Sequence, residues 1–220
     1  MRTSARVYGD AAARTLILAH GAGAGHQSPF MVAFADALSD LGLSVVTFNF
    51  LYAEQRRRMP DRPALLEGCY RAAIAAVRGE IADQLPFIGG KSMGGRIATQ
   101  VAAADADLGI AGIVLLGYPL HPPGKPEQRR DAHLPSVRVP MLFVQGSRDT
   151  FGTPSELAPV LARLGDRATL HLVEGGDHSF KVSGTDCEKQ HAVYTGIYRR
   201  VADWMSATTD TSARTRPRPV

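Results

Sequence analysis

Apolar residues in this 220-residue chain fall into two patterns. Short unbroken runs occur at 15–19 (TLILA), 43–48 (LSVVTF), 110–116 (IAGIVLL), 141–145 (MLFVQ) and 168–173 (ATLHLV). Continuous rather than alternating apolar runs predict strands buried on both faces. Residues 86–89 predict one more strand. The second pattern recurs at three and four residues: Phe30, Phe34, Ala37, Leu38 and Leu41 form one apolar stripe, and Gly42 follows. That predicts a helix over 29–41. Helices are likewise expected over 63–85, with a proline at its start, and over 94–104, 154–164 and 187–205. Residues 49–62 and 117–135 read as loops. Strands alternating with helices predict a mostly parallel sheet covered on both faces. The expected organisation is one domain over 1–205. A polar, Arg-containing tail over 206–220 is expected to be disordered.

Composition narrows the class without deciding it. Hydrophobic residues make up 45% and charged residues 21%, ordinary for a globular protein. The net charge is +4, and Arg214, Arg216 and Arg218 in the tail carry much of it. A basic balance of that origin argues little for nucleic acid. Cys69 and Cys187 have no CxxC or partner pattern, which argues against a zinc site or disulfide framework and fits a reducing compartment. Asp10 and Arg14 interrupt the N-terminal apolar residues, so no secretory signal is read there. No run approaches the roughly 20 apolar residues of a membrane helix. A cytoplasmic protein is expected.

The chemistry is concentrated in GGKSMGG, residues 89–95. Its Gly-Lys-Ser could end a phosphate-binding loop, but that pattern needs glycine at 85, which is Leu85. The alternative is G-x-S-x-G, with Ser92 between Gly90 and Gly94 and a strand before and a helix after it. That is the context of a nucleophile lifted above a sheet on a tight turn. A nucleophilic serine needs a base and an orienting acid, in the chain order Ser, acid, His. Asp149 in GSRD and His178 in EGGDHSF follow predicted strands in that order. Asp177 is the rival acid, but a neighbour of His178 reaches its ring poorly. The Met93 N–H opens the following helix and is a candidate oxyanion donor. The loop HGAG after the first buried run offers the second, Ala22, with Gly23 as runner-up; His20 reads as structural.

Gly23, Asn49, Phe50, Tyr118 and Leu120 lie at predicted strand ends and are expected to bind substrate, with Pro119 beside them. His26 and His121 are further candidates for substrate contact. His133, His171 and His191 read as surface or structural positions. Arg56, Arg57 and Arg58 read as a solvated loop face, with attraction of an acidic substrate as the alternative.

The set HGAGAG, FNF, PDRP, GGKSMGGR, GYPLHPPGKP, QGSRDTFG and GGDHSF resembles a small family of α/β-hydrolases related to dienelactone hydrolases. Its animal members are a testis-expressed protein and a subunit of a nonspecific-lethal histone-acetyltransferase complex. The resemblance spans about residues 5–205. It implies an α/β-hydrolase fold without a substantial cap and carries the triad onto Ser92, Asp149 and His178. It supplies no substrate, and the usual cysteine nucleophile of dienelactone hydrolases is a serine here. The expected activity is hydrolysis of a small or accessible ester or thioester through an acyl-enzyme. The expected partner is that small molecule, with no nucleic acid and no membrane; a homodimer is left open. No metal and no cofactor is expected. Two alternatives stay open: a non-catalytic interaction module, and an acyltransferase or perhydrolase using the same residues.

Overall fold

The computed structural model describes residues 3–9, 14–81 and 84–215. Among them seven strands form one sheet: β1 Ala5–Tyr8, β2 Thr15–Ala19, β3 Ser44–Phe48, β4 Phe87–Lys91, β5 Ile113–Leu116, β6 Met141–Gly146 and β7 Ala168–Val173. The spatial order is β1-β3-β2-β4-β5-β6-β7. β1 is antiparallel to β3, and every other pairing is parallel. The helices are α1 Pro29–Asp40, α2 Leu51–Glu54, α3 Pro63–Glu80, α4 Met93–Ala104, α5 Pro154–Leu164 and α6 Cys187–Thr215.

Alternate residues of each central strand face opposite sides, so each strand feeds two cores. Leu16 and Leu18 of β2 pack with Phe34 and Leu38 of α1 and with Val201 and Trp204 of α6. Ile17 and Ala19 pack the other way, with Tyr70 and Ile74 of α3, Ile97 and Val101 of α4, and Leu157 of α5. Continuous apolar runs follow from this: a strand with helices on both faces has no side turned to water. β2 to β6 are buried at every position. The two edge strands are not. β1 is exposed at Ala5, Arg6 and Val7, and β7 is half-exposed along most of its length.

Several elements depart from the pattern-based expectation. β1 was not expected, because its four residues include the charged Arg6 and form no apolar run. A single helical turn, α2, stands inside the expected 49–62 loop. Its Leu51 and Tyr52 bury themselves. α3 ends at Glu80 rather than near residue 85. α6 continues ten residues past Met205 to Thr215 (215 − 205 = 10), into the segment expected to be disordered. There the Ser206, Thr208 and Thr209 hydroxyls bond to the Ala202, Trp204 and Met205 carbonyls, each four residues back. Those bonds absorb the polar groups that suggested a tail. The first proline beyond Met205 is Pro217. Residues 216–220 of the expected tail lie outside the described residues.

Parallel strands deliver all their C-terminal ends to one edge of the sheet. The loops after β2, β4, β6 and β7 therefore converge there, as ligand-binding loops of open α/β sheets do.

Candidate active site

Ser92 stands between β4 and α4 with φ 51° and ψ −114°. A serine in that region is strained by about 1–3 kcal/mol, and the surrounding backbone holds it there. The flanking glycines are required by close approach. A Cβ on Gly90 would lie 2.5 Å from the Gly94 carbonyl carbon and 2.6 Å from the Ala19 carbonyl oxygen. A Cβ on Gly94 would lie 2.3 Å from that same oxygen. The β2 backbone thus presses against the turn from one side, and only glycine fits at either position.

His178, in the loop after β7, places Nε2 2.9 Å from Ser92 Oγ and Nδ1 2.8 Å from Asp149 Oδ2. Asp149 is fully buried in the loop after β6. Its carboxylate also accepts the Phe151 N–H at 2.8 Å and the Gln145 Nε2–H at 2.7 Å. Three donors satisfy a charge that burial would otherwise penalise. A carboxylate acceptor at Nδ1 places the proton on that nitrogen and leaves the Nε2 lone pair facing the Ser92 hydroxyl. Asp177 is turned elsewhere: its carboxylate accepts the Ser179 and Lys181 N–H groups and shapes the histidine loop.

The loop after β2 is held from beneath. His20 is fully buried. Its Nε2 accepts the Phe50 N–H at 3.1 Å, so Nδ1 carries the proton and donates it to the Gly21 carbonyl at 2.8 Å. Burial lowers the His20 pKa from 6.5 to about 4, the bond to Gly21 opposing that shift. The ring is therefore neutral at neutral pH. Tyr52 also donates to the Gly21 carbonyl, at 3.4 Å. A trans peptide points its C=O and N–H in opposite directions. Fixing the Gly21 carbonyl toward the core therefore turns the Ala22 N–H toward the cleft. That N–H makes no hydrogen bond among the described residues. The Met93 N–H lies at the first position of α4, where helix geometry leaves it without an intrahelical acceptor.

These groups open on a cleft of about 680 Å³, lined among others by Ala22, Ser92, Met93 and His178. Its remaining walls differ from the expected ones. Of the residues expected to bind substrate, Gly23, Asn49, Phe50, Tyr118 and Leu120 are all absent from the lining. Phe50, Tyr118 and Leu120 are buried in the core. The Asn49 side-chain Oδ1 instead accepts the His26 N–H and braces the loop. Pro119 does line the cleft, as expected, with Phe30, Pro60, Arg96, Arg130 and Phe151 as further walls. His26 and His121 are buried and bond to Thr47 and Glu156 respectively. They, too, are absent from the lining. Arg56 and Arg58 lie on an exposed loop, and Arg57 pairs with Asp61.

Two residues against the histidine went unsuspected. Phe151 stacks on the His178 ring, centroids 4.1 Å apart and planes 26° from parallel. Lys91, buried beside Ser92, donates to the His178 carbonyl and lies 5.5 Å and 5.8 Å from the Phe180 and Phe30 rings. Burial lowers its pKa from 10.5 to about 8, with Asp149 and Asp177 opposing that shift. A charged residue inside an otherwise apolar strand was the visible signal for Lys91. For Phe151 the signal was its place two residues after Asp149, where an Asp side chain commonly accepts a backbone N–H.

Fold and cleft together define a class, the α/β-hydrolases. The chain matches, over residues 12–206, the model of a family described as an alpha/beta hydrolase domain, and it belongs to that family. Solved structures of the same fold include a dienelactone hydrolase from Anabaena variabilis, 19% identical, covering 94% of this chain and 92% of that one, with a TM-score of 0.72. An α/β serine hydrolase without a lid from Xanthomonas campestris is 22% identical, covering 90% and 88%, with a TM-score of 0.68. A putative α/β hydrolase from Agrobacterium tumefaciens is 14% identical, covering 99% and 95%, with a TM-score of 0.72. At these identities the likeness is one of fold. No helix among the described residues is long and apolar enough to cross a membrane.

Proposed function

We propose that the protein is a serine hydrolase that cleaves a small or accessible ester or thioester through an acyl-enzyme. The observation that carries this reading is the unbroken series Ser92 Oγ, His178 Nε2, His178 Nδ1, Asp149 Oδ2, with links of 2.9 and 2.8 Å, beside a cleft. Ser92 Oγ attacks the acyl carbon and gives its proton to His178 Nε2. The carbonyl oxygen becomes an oxyanion, held by the Met93 and Ala22 N–H groups. The intermediate collapses, and the leaving oxygen or sulfur departs with the proton from Nε2. Water then repeats the sequence, with His178 as its base, and frees the acid and Ser92. Asp149 keeps the Nδ1 proton in place and balances the imidazolium. Each step uses side chains, backbone and water alone.

The lidless neighbour from Xanthomonas campestris supports an open site, and among the described residues the segment between β5 and β6 holds only a 3-10 turn, Leu134–Ser136, and no α-helix. Narrower kinship with the testis-expressed and nonspecific-lethal-complex proteins is part of this proposal. It is supported by the motifs GGKSMGGR and GYPLHPPGKP. The test is labelling by a fluorophosphonate probe, with the adduct located by peptide mass. Labelling at Ser92 that disappears in Ser92→Ala and falls sharply in His178→Ala is expected. A folded protein that does not label would overturn the reading.

A further inference from the structure

The cleft beside Ser92 is lined by two arginines that lack anionic partners among the described residues. Arg96 lies one helical turn beyond Ser92 on α4, about 6 Å along the helix axis, and lines the cleft. Among the described residues its Nε is buried without a hydrogen-bond partner, and its one side-chain bond is a long 3.4 Å contact from Nη1 to Gln100. Arg130 lines the same cleft. Its backbone is fastened on both sides: its N–H donates to the Leu120 carbonyl, and its carbonyl accepts the Tyr118 hydroxyl. Its guanidinium makes no hydrogen bond or ion pair among the described residues. The two charges act on one another: burial first, and then the Arg130 charge, lower the Arg96 pKa, with Tyr118 and Glu67 opposing.

The surrounding arginines are treated differently. Arg129, next in the chain, and Arg163 both grip Asp131, and Arg71 holds Asp105. Asp131 is thus already committed to two other arginines. Asp61, also on the cleft wall, is paired through Oδ1 with Arg57, and its Oδ2 is buried without a hydrogen-bond partner. Two like charges in a partly desolvated cleft destabilise the empty site. An anion with planar oxygens relieves that repulsion and satisfies the orphaned Nε, because a guanidinium fork matches a carboxylate. Arg96 also lies in the first turn of α4, where the helix dipole favours negative charge.

We propose that Arg96 and Arg130 form an anion subsite, so that the preferred substrate is an ester that also carries a carboxylate. This rests on the serine-hydrolase reading for the ester. The subsite itself can be tested without turnover.

In the Ser92→Ala protein, binding of monomethyl glutarate and of methyl pentanoate is measured by NMR titration. The two esters are close in length and differ in the carboxylate. The glutarate monoester is expected to bind at least about tenfold tighter, the scale of one charge-assisted hydrogen bond. That advantage should fall about tenfold in Arg96→Gln and in Arg130→Gln, and partly return in Arg96→Lys. Equal affinity for the two esters overturns the proposal, as does an advantage that survives both Gln variants. Circular dichroism checks each variant's fold, and the Lys variant carries the test if Arg96→Gln does not fold. With Ser92 intact, the kcat/KM ratio of p-nitrophenyl hemiglutarate to p-nitrophenyl pentanoate should shift in the same direction. Selective binding without turnover or labelling would sink the hydrolase reading and leave the subsite. Turnover and labelling without selectivity would do the reverse.

Discussion

His20 and His178 stand at ends of strands on the same edge of the sheet, yet their surroundings make them different devices. The His20 ring is sealed, both nitrogens bonded to backbone groups, and burial holds its pKa at about 4. The His178 ring is partly exposed in a cleft, with a hydroxyl on one side and a carboxylate on the other. Backbone partners cannot move or exchange protons at neutral pH, so the first histidine can only fix a peptide plane. Side-chain partners of unlike basicity can pass a proton, so the second can perform chemistry. Residue type carries neither role; partner and access to solvent do.

The sharpest way to break the contrast is at His178. His178→Ala and Asp149→Asn should each lower kcat on a reactive ester such as p-nitrophenyl acetate by on the order of 10⁴-fold. Loss of no more than tenfold in either would mean that the ring does not act as base. His20→Gln should act more gently, lowering kcat about tenfold as the Ala22 N–H loses its alignment, a fraction of the loss from removing an oxyanion donor outright.

The same variant has a signature in pH. The unfolded histidine takes its proton near 6.5 and the folded one near 4, so the unfolded chain binds more protons between those values. Folded stability from this group is full above pH 6.5 and falls as pH drops toward 4, by about 3 kcal/mol in all. Urea denaturation across that window should show the wild type losing its lead over His20→Gln by roughly that amount. A constant difference between the two proteins would refute a buried neutral ring. The smallest effect belongs to Phe151→Ala. Ring stacking of this kind is worth about 0.5–1.5 kcal/mol. A drop in kcat/KM of about two- to tenfold is expected, with the pH profile in place if Phe151 only steadies the ring.

What could be read before the fold was known follows the same division. Ser92, Asp149 and His178 could be singled out as candidates because strand ends and chain order constrain them, and their side chains lie together in the structure. The central strands were visible because burial on both faces leaves an unbroken apolar run. β1 was invisible because Arg6 interrupts its four residues, whereas the other edge strand, β7, kept an apolar run; α6 was shortened because Ser and Thr hydroxyls that bond back to the helix look like tail residues. The cleft walls failed for a related reason. Phe50, Tyr118 and Leu120 follow strands, but their apolar side chains turn into the core. The walls come instead from the start of α1, the loop before α3 and Phe151, whose approach is set by tertiary packing rather than by sequence spacing.

The most direct test of the central claim is to capture the intermediate. The protein would be mixed with p-nitrophenyl acetate, quenched in acid within the first turnover, and its peptides weighed. The account predicts an acetyl group on Ser92, present in wild type and absent in His178→Ala quenched at the same time. Hydrolysis that proceeds with no acyl group on Ser92, or continues undiminished in Ser92→Ala, would contradict it.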